Sequence, residues 1–216
     1  MLRLNSDLSH LDKIHEVESV KTESEKTSGP AWADVFLTPL KNSDTSALYE
    51  WQNSASIRDL TMGFRFPVQT STVENWIKKV EDQNSKSLVV YGIRVNTLLV
   101  GIVSLHNINQ YQRKSLLGIY IGNNEQQKKG VGFIATSLIL DFAFNGLDFR
   151  KVGLEVVERN QNAISLYERV GFVKEGTKRE EYFIDGKCLD THFYGILKQD
   201  FQIGIPHDAN RLLHTL

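Results

Sequence analysis

The feature that most constrains the fold of this chain is a glycine-containing turn between a predicted strand and the longest predicted helix. The turn reads Gln127-Lys128-Lys129-Gly130-Val131-Gly132 and follows the β-rich run Ser115–Ile121. Apolar residues then recur with the 3.6-residue period of a helix over Gly130–Asn145, with Gly146 as the predicted C′ residue. A helix N-terminus has unpaired backbone N–H groups, and glycine lets an anion approach them without meeting a Cβ atom. The turn therefore predicts either a phosphate site or a purely structural helix start.

Two familiar phosphate-binding loops do not describe this turn. A P-loop requires Lys and then Ser or Thr after its intervening residues, whereas Phe133 follows Gly132. The dinucleotide fingerprint accepts Ala135 at its third position, but it requires a parallel βαβ unit and an acidic residue after the next strand. The elements predicted before the turn form an antiparallel meander instead, so the context argues against a dinucleotide site.

A second pattern follows the next predicted strand and supports a ligand site. It reads Asn160-x-x-Ala163-x-x-Leu166-Tyr167-x-x-x-Gly171-Phe172. Alone, Asn160 would be a helix cap and Tyr167 a core aromatic residue. Two such patterns, each on a strand-to-helix transition and about 30 residues apart, are less readily explained by coincidence.

The alternation of apolar patterns predicts a mixed α/β (α+β) domain with a largely antiparallel sheet. The predicted strands are Val35–Leu37, Ser87–Arg94, Leu98–His106, Ser115–Ile121, Lys151–Val157, Glu180–Ile184 and Thr191–Leu197. The predicted helices are Ser46–Gln52, Thr72–Glu81, Gly130–Asn145 and Asn162–Val170. Residues 31–201 are expected to form the domain. Residues 1–30 form an extension with a short amphipathic helix and a linker, and residues 202–216 form a tail.

Composition narrows the classes of partner. The net charge of the 216 residues is −1, which removes the broad attraction that a basic protein has for nucleic acid or anionic membrane. Cys188 is the single cysteine, so an internal disulfide is excluded, and His106 and His192 lack metal-ligand spacing and are interpreted as strand-end polar groups. Charged residues interrupt the first 25 positions. We therefore expect a cytoplasmic protein without a bound metal.

On the two motifs, Gln127–Gly132 and Asn160–Phe172, the chain resembles the GNAT superfamily of acetyl-CoA-dependent N-acetyltransferases. It is similar to the branch that contains ribosomal-protein N-terminal, spermidine and amino-sugar acetyltransferases, over about residues 36–201. The resemblance implies a GNAT-like sheet with flanking helices, in which Ser115–Ile121 splays from Lys151–Val157 and leaves a V-shaped gap for the pantetheine arm. Dimerisation is common in this family, so a homodimer is a further expectation.

The resemblance also implies which residues bind acetyl-CoA. Backbone amides of the turn would hold the pyrophosphate, the central strand would supply an N–H group for the oxyanion, and the second motif would contact the pantetheine arm. The implied cofactor-binding residues are Gln127, Lys128, Lys129, Gly130, Val131, Gly132, Ile119, Tyr120, Ile121, Asn160 and Ala163. Tyr167 would lie near the thioester sulfur.

Acetyl transfer to an amine needs a base and an acid. An alkylamine of pKa near 10 is about 99.9% protonated at pH 7, so producing the neutral nucleophile costs roughly 4 kcal/mol. Glu155 resembles the glutamate proposed as the base in ribosomal-protein alanine acetyltransferases. It could equally be a strand carboxylate that pairs with a neighbouring Lys or Arg, and a water chain could replace it. Tyr167 is the candidate general acid for the leaving thiolate, through its orientation or a lowered pKa.

The acceptor is left open by the sequence. Trp51, Arg58, Phe64 and Phe66 lie in the region that shapes the acceptor pocket in the family, although core packing explains most of them equally well. A protein N-terminus, a polyamine and an amino sugar or aminoglycoside all remain candidate acceptors. The predicted function is acetyl transfer from acetyl-CoA to a primary amine, by direct attack in a ternary complex. The alternative is a catalytically idle acyl-CoA-binding sensor or interaction module.

Overall fold

The computed structural model describes residues 30–59, 61, 62, 66–81, 87–206 and 209. Within these residues, seven strands form one mixed sheet in the order β1-β2-β3-β4-β5-β7-β6. The strands are β1 Val35–Thr38, β2 Leu88–Val95, β3 Leu98–Asn109, β4 Lys114–Ile121, β5 Lys151–Val157, β6 Val173–Ile184 and β7 Lys187–Leu197. Adjacent strands are antiparallel except β4 and β5, which are parallel. The predicted mixed, mostly antiparallel architecture is confirmed.

Five α-helices cover the two faces of the sheet in the described part of the chain. They are α1 Thr45–Asn53, α2 Ala55–Arg58, α3 Thr70–Glu81, α4 Val131–Asp141 and α5 Gln161–Val170. The larger core lies where α4 and α5 pack on one face, and the smaller core lies where α1, α2 and α3 pack on the other. No described helix has both the length and the apolar character needed to cross a membrane. The amphipathic helix predicted in residues 1–30 lies outside the described residues.

The period of two in β4 and β5 divides their side chains between the two faces. Leu117 of β4 and Leu154 of β5 are buried in the larger core. Tyr120 points the other way and packs at the smaller core, with its ring centroid 6.1 Å from that of Trp51. Glu155, next to Leu154, therefore projects on the face opposite α4 and α5.

A buried ion pair fastens the smaller core to the sheet. Arg94 of β2 donates from Nη2 to both carboxylate oxygens of Asp44, at 2.9 and 2.8 Å, and from Nε to Thr38 Oγ1 at 2.9 Å. The Arg94 and Asp44 side chains are only 13% and 6% exposed. The pair thus ties the turn before α1 to β1 and β2.

The end of α4 differs from the sequence prediction. The C′ assignment of Gly146 is wrong, because the glycines with positive φ among the described residues are Gly130, Gly171 and Gly186. The helix ends in a π-turn over Phe142–Gly146, and the Leu147 N–H donates to the Phe142 carbonyl at 2.9 Å. A Cβ atom on Gly146 would lie 2.9 Å from Cδ2 of Phe142, so glycine makes room for that ring.

Candidate active site

A V-shaped opening separates the C-terminal parts of β4 and β5. The two strands pair over only three positions, Lys114–Lys151, Ser115–Val152 and Leu116–Gly153. Beyond these pairs, residues 117–121 of β4 and 154–157 of β5 have no register with each other, so the parallel strands diverge toward their carboxyl ends. The chain leaves each strand at this open end and enters α4 or α5. The splay that the resemblance implied is therefore present, and it brings both sequence motifs to one edge of the sheet.

The closed end of the V is fastened by backbone and side-chain bonds. The Arg150 N–H donates to the Arg113 carbonyl at 2.7 Å, and the Lys198 N–H donates to the Arg150 carbonyl at 3.0 Å. The Arg150 side chain also donates from Nε to the Gln112 carbonyl at 2.9 Å. Lys198 Nζ donates to Asp148 Oδ1 at 3.0 Å. These contacts join the β3–β4 hairpin, the start of β5 and the end of β7.

The β4 wall of the opening presents backbone groups. The Gly122 N–H donates to the Val100 carbonyl at 2.8 Å, which continues the β3–β4 register. Bonding alternates along an antiparallel pair, so the N–H and C=O groups of Ile119 and Ile121 point away from β3 and into the gap. Gln127 confirms this direction, since its Nε2 donates to the Ile121 carbonyl at 2.9 Å. The strand thus offers N–H donors where the resemblance implies the oxyanion contact.

The glycine turn forms the N-terminus of α4. Gly130 is the N-cap residue and has φ +87°, a left-handed conformation that glycine adopts without strain. The first bond within the helix runs from the Ile134 N–H to the Gly130 carbonyl at 3.1 Å. The N–H groups of residues 131–133 therefore have no carbonyl inside the helix to bond. Exposed Lys128 and Lys129 precede them. Backbone donors and two ammonium groups together suit an anionic ligand.

Gln127 and Gly132 have structural roles in the turn, which the sequence did not distinguish from ligand binding. The Gln127 side chain donates to the Ile121 carbonyl and to Asn124 Oδ1, at 2.9 and 3.2 Å, and so ties the turn to the end of β4. A Cβ atom on Gly132 would lie 3.3 Å from Leu166 Cδ2. Gly132 therefore allows α5 to approach α4 closely, whereas Gly130 provides a backbone conformation. A contact of these residues with a ligand stays a prediction.

The second motif places its residues on the β5 side. Asn160 is the N-cap of α5, and its Oδ1 accepts a hydrogen bond from the Ala163 N–H at 3.2 Å. Tyr167 lies two turns further along α5 and is 6% exposed. Its ring packs edge-on against Phe172, with centroids 5.8 Å apart. Burial raises the pKa of Tyr167 to about 12. The sequence offered a lowered pKa or a favourable orientation as the way in which Tyr167 acts as a general acid. The lowered pKa is wrong, and the orientation stays a prediction.

Glu155 forms an ion pair with a lysine on a neighbouring part of the sheet, which is one of the two roles considered for it from the sequence. Its carboxylate lies 3.7 Å from Lys178 Nζ of β6, and the Glu155 side chain is 26% exposed. Lys178 also contacts Glu181 at 3.2 Å and lies over the Phe193 ring, 4.5 Å from its centroid. Lys178 is therefore shared between two carboxylates, and its contact with Glu155 is the longer of the two.

Sequence reasoning interpreted His106 only as a polar residue at a strand end. His106 lies on β3 opposite Leu116, the last β4 residue that pairs with β5. Its Nδ1 and Cε1 atoms lie 3.6 and 3.5 Å from the position that a Cβ atom on Gly118 would occupy. Burial lowers the pKa of His106, and the negative charge of Glu155 partly offsets this effect. The imidazole thus lies where the V begins to open. The position of His106 beside the gap follows from the pairing of β3 with β4. A single sequence does not show which strands pair, so this position could not be predicted.

The predicted acceptor residues have different surroundings. Trp51 is 9% exposed and packs against Tyr120 and Gly122, so packing accounts for its position. Arg58 ends α2 and is partly buried, and Phe66 is 78% exposed. Phe64 lies outside the described residues. Contact of any of these four with an acceptor stays a prediction.

The long β6–β7 hairpin adds a wall near the α2 end. The Tyr182 hydroxyl donates to the Thr61 carbonyl at 3.4 Å, and Arg159 Nη2 donates to the Asp59 carbonyl at 2.5 Å. The segment after α2 is thereby held against the hairpin and the loop after β5. No group of three or more His, Cys, Asp or Glu side chains suited to a metal ion occurs among the described residues.

A family model described as an acetyltransferase (GNAT) domain matches residues 34–173. A spermidine N(1)-acetyltransferase of Vibrio cholerae is 30% identical over 171 residues, which cover 78% of this chain and 96% of that protein. A Bacillus subtilis protein provisionally named as a ribosomal N-acetyltransferase is 28% identical over 130 residues, covering 60% of this chain and 69% of that protein. The crystal structure of a V. cholerae spermidine N-acetyltransferase with CoA and spermine matches this fold with a TM-score of 0.71 and 28% identity, covering 78% of this chain and 98% of that one.

Proposed function

The chain belongs to the GNAT acetyltransferase family, and from that premise we propose that it transfers an acetyl group from acetyl-CoA to a primary amine by direct attack in a ternary complex. The observation that carries the proposal is the splay of β4 from β5 with both motif helices starting at its open end. A thioester placed in this gap would have backbone donors on one wall and Tyr167 on the other. The acceptor would approach from the face that carries Glu155.

The α4 turn would hold the donor through its anionic part. The N–H groups of residues 131–133 and the positive end of the helix dipole favour the pyrophosphate, and Lys128 and Lys129 add charge. The N–H groups of Ile119 and Ile121 would then bind the pantetheine arm and the thioester oxygen. Loss of a donor to such an oxyanion typically costs about 3–4 kcal/mol in the barrier.

Glu155 would remove a proton from the acceptor ammonium. This role is supported by the position of the Glu155 side chain, which is 26% exposed on the face opposite α4 and α5 and shares Lys178 with Glu181. The neutral amine then attacks the thioester carbon, and the C–S bond breaks. Tyr167 would donate a hydrogen bond to the departing sulfur, because burial keeps its hydroxyl protonated.

A polyamine is the first acceptor to test, because relatives of this chain are named spermidine acetyltransferases. A peptide N-terminus is the second, because another relative bears a ribosomal N-acetyltransferase name. An amino sugar completes the panel. The three classes differ in charge, so a panel at matched concentration separates them by kcat/KM.

Thiol release from acetyl-CoA, measured with and without each amine, tests the proposed function. Amine-dependent release with mass-spectrometric detection of the N-acetylated product is the expected result. A thermal shift with acetyl-CoA but no release with any amine would indicate a binding module instead. Absence of both would refute the donor site as well.

A further inference from the structure

His106 and Glu155 flank the mouth of the V on one face of the sheet. Gly153 is the last β5 residue that pairs with β4, and Glu155 lies two residues beyond it on the same face. Gly118 stands in the corresponding place on β4, two residues beyond Leu116. The imidazole of His106 fills the space beside Gly118, where a Cβ atom would lie 3.0 Å from Ser104 Oγ.

During acetyl transfer the acceptor nitrogen loses two protons, whereas one carboxylate holds one proton at a time. An acceptor that enters as an ammonium ion loses one proton before it attacks the thioester carbon and a second before its nitrogen becomes an amide. The C–S bond breaks to give a thiolate that accepts a hydrogen bond from Tyr167. Both protons pass from their acceptors to solvent, and the thiolate takes one proton back from solvent, so one proton is released in each turnover. Two protons must therefore leave the nitrogen during each turnover, on the face that Glu155 and His106 share.

Resting on the proposed function, we propose that His106 is the second proton acceptor of the amine site, taking one of the two protons while Glu155 takes the other. Burial lowers the pKa of His106 and so favours the neutral imidazole, which is the form that accepts a proton. The negative charge of Glu155 favours the imidazolium that forms. The ring makes no hydrogen bond with the described residues, so its nitrogens are available to the acceptor or to a bridging water.

The described residues around His106 come from three neighbouring strands. Leu88 of β2 and Leu116 of β4 are its cross-strand neighbours, and Gly118 lies diagonally across on β4. Glu155 of β5 is the charged side chain that acts on the imidazole among the described residues. Lys178 of β6 pairs with Glu155.

Replacement of the imidazole tests the proposal. We expect His106→Gln to lower kcat/KM about 100-fold, within the range for loss of an acid–base group, and to remove the acidic limb set by the imidazole. His192→Gln is the matched control, since His192 pairs with Val156 on the opposite face of the sheet and contacts Thr177 at 3.1 Å. The control should stay within twofold of wild type. If wild type acetylates an amine and His106→Gln retains its rate and pH profile, the proposal is wrong, whereas an inactive wild type refutes the proposed function instead.

The pKa of His106 can be measured by NMR titration of the histidine resonances, which tests its interaction with Glu155 without turnover. Removal of the Glu155 charge disfavours the imidazolium, so Glu155→Gln should lower the pKa of His106. Glu175→Gln, which removes the carboxylate beside Lys151, should leave the pKa of His106 in place. An unchanged pKa of His106 in Glu155→Gln would overturn the pairing, and a fall seen only in that variant would support it.

Discussion

Burial determines what Tyr167 can contribute to the reaction. With its pKa raised to about 12, complete transfer of its proton to a thiolate of pKa about 8.5 is uphill by roughly 5 kcal/mol. A hydrogen bond to the developing charge on sulfur has no such cost. In the proposed mechanism Tyr167 would therefore act by position, and its ring is held by the edge contact with Phe172.

Removal of the Tyr167 hydroxyl should affect turnover more than binding. We expect Tyr167→Phe to lower kcat about 10- to 100-fold and to leave the Kd for acetyl-CoA within twofold, because the ring still packs in the core. Steady-state kinetics and calorimetric titration measure the two effects. Because the hydroxyl stays protonated through pH 10, the pH profile of kcat should keep its shape in Tyr167→Phe. A limb that vanishes with the hydroxyl would contradict the raised pKa.

Residues of the candidate site could be related to one another from the sequence where they belong to a local pattern. Asn160 and Tyr167 share one helix, and Glu155 lies five residues before Asn160, so sequence spacing alone relates them. Lys178 contacts Glu155 from β6, and the Glu155 charge acts on His106 of β3. A pattern within one segment cannot show such neighbours, because strand register depends on the whole sheet.

At the scale of elements, the end of β4 depends on close packing between Gly122 and α1. A Cβ atom on Gly122 would lie 2.0 Å from Cδ2 of Trp51, inside the ring's contact distance. Gly122→Ala should therefore lower the free energy of unfolding by at least about 1–3 kcal/mol, the cost of overpacking. Gly176→Ala is the control, since no atom lies within 4 Å of its Cβ position. Urea unfolding of both variants checks this, and equal midpoints would show that Trp51 moves freely.

The N-cap conformation of α4 should matter for donor binding. Gly130→Ala places a Cβ atom at φ +87°, which costs about 1–2 kcal/mol of backbone strain and reorients the N–H groups after it. We expect the Kd for acetyl-CoA to rise about tenfold. Gly186→Ala introduces similar strain at φ +75° in the distant β6–β7 turn and should leave that Kd unchanged. Isothermal titration distinguishes the two, and equal affinities would remove the turn from the donor site.

Most strands and helices were predictable because their apolar residues follow one period. The first half of β6 was not, since it was predicted to start at Glu180 and starts at Val173. Two register shifts against β7, after Lys174 and after Lys178, break its alternation, and most of its side chains are exposed. A strand without a buried face has no hydrophobic period to read.

At the scale of the whole molecule, the Arg94–Asp44 pair joins the smaller core to the sheet. Asp44→Ala would leave a buried guanidinium without a counter-charge, so we expect the free energy of unfolding to fall by about 3–5 kcal/mol. Lys198→Met breaks the exposed Lys198–Asp148 pair and should cost less than about 1 kcal/mol. Chemical denaturation gives both values. A small loss in Asp44→Ala would mean that water reaches Arg94.

The architecture as a whole followed from the order of elements and from the family resemblance, and the family match over residues 34–173 supports both. The extent of the splay could not be predicted from the residues. It depends on where β4 and β5 stop pairing, after Leu116 and Gly153, and both strands continue beyond that point with the same apolar alternation. In this part of the sheet β4 still pairs with β3, and β5 still pairs with β7. The sequence of neither strand therefore shows where the gap between β4 and β5 begins.

The fastened end of the V has a consequence for the kinetics of ligand entry. The bonds among Arg113, Arg150 and Lys198 set the separation of the strands before any ligand arrives. A preorganised cleft needs no slow opening step, so acetyl-CoA should associate in a single phase whose observed rate rises linearly with its concentration. Stopped-flow fluorescence can follow this through Trp51 or Trp32. A rate that reaches a plateau would reveal a gate, and the protein would then sample a closed form.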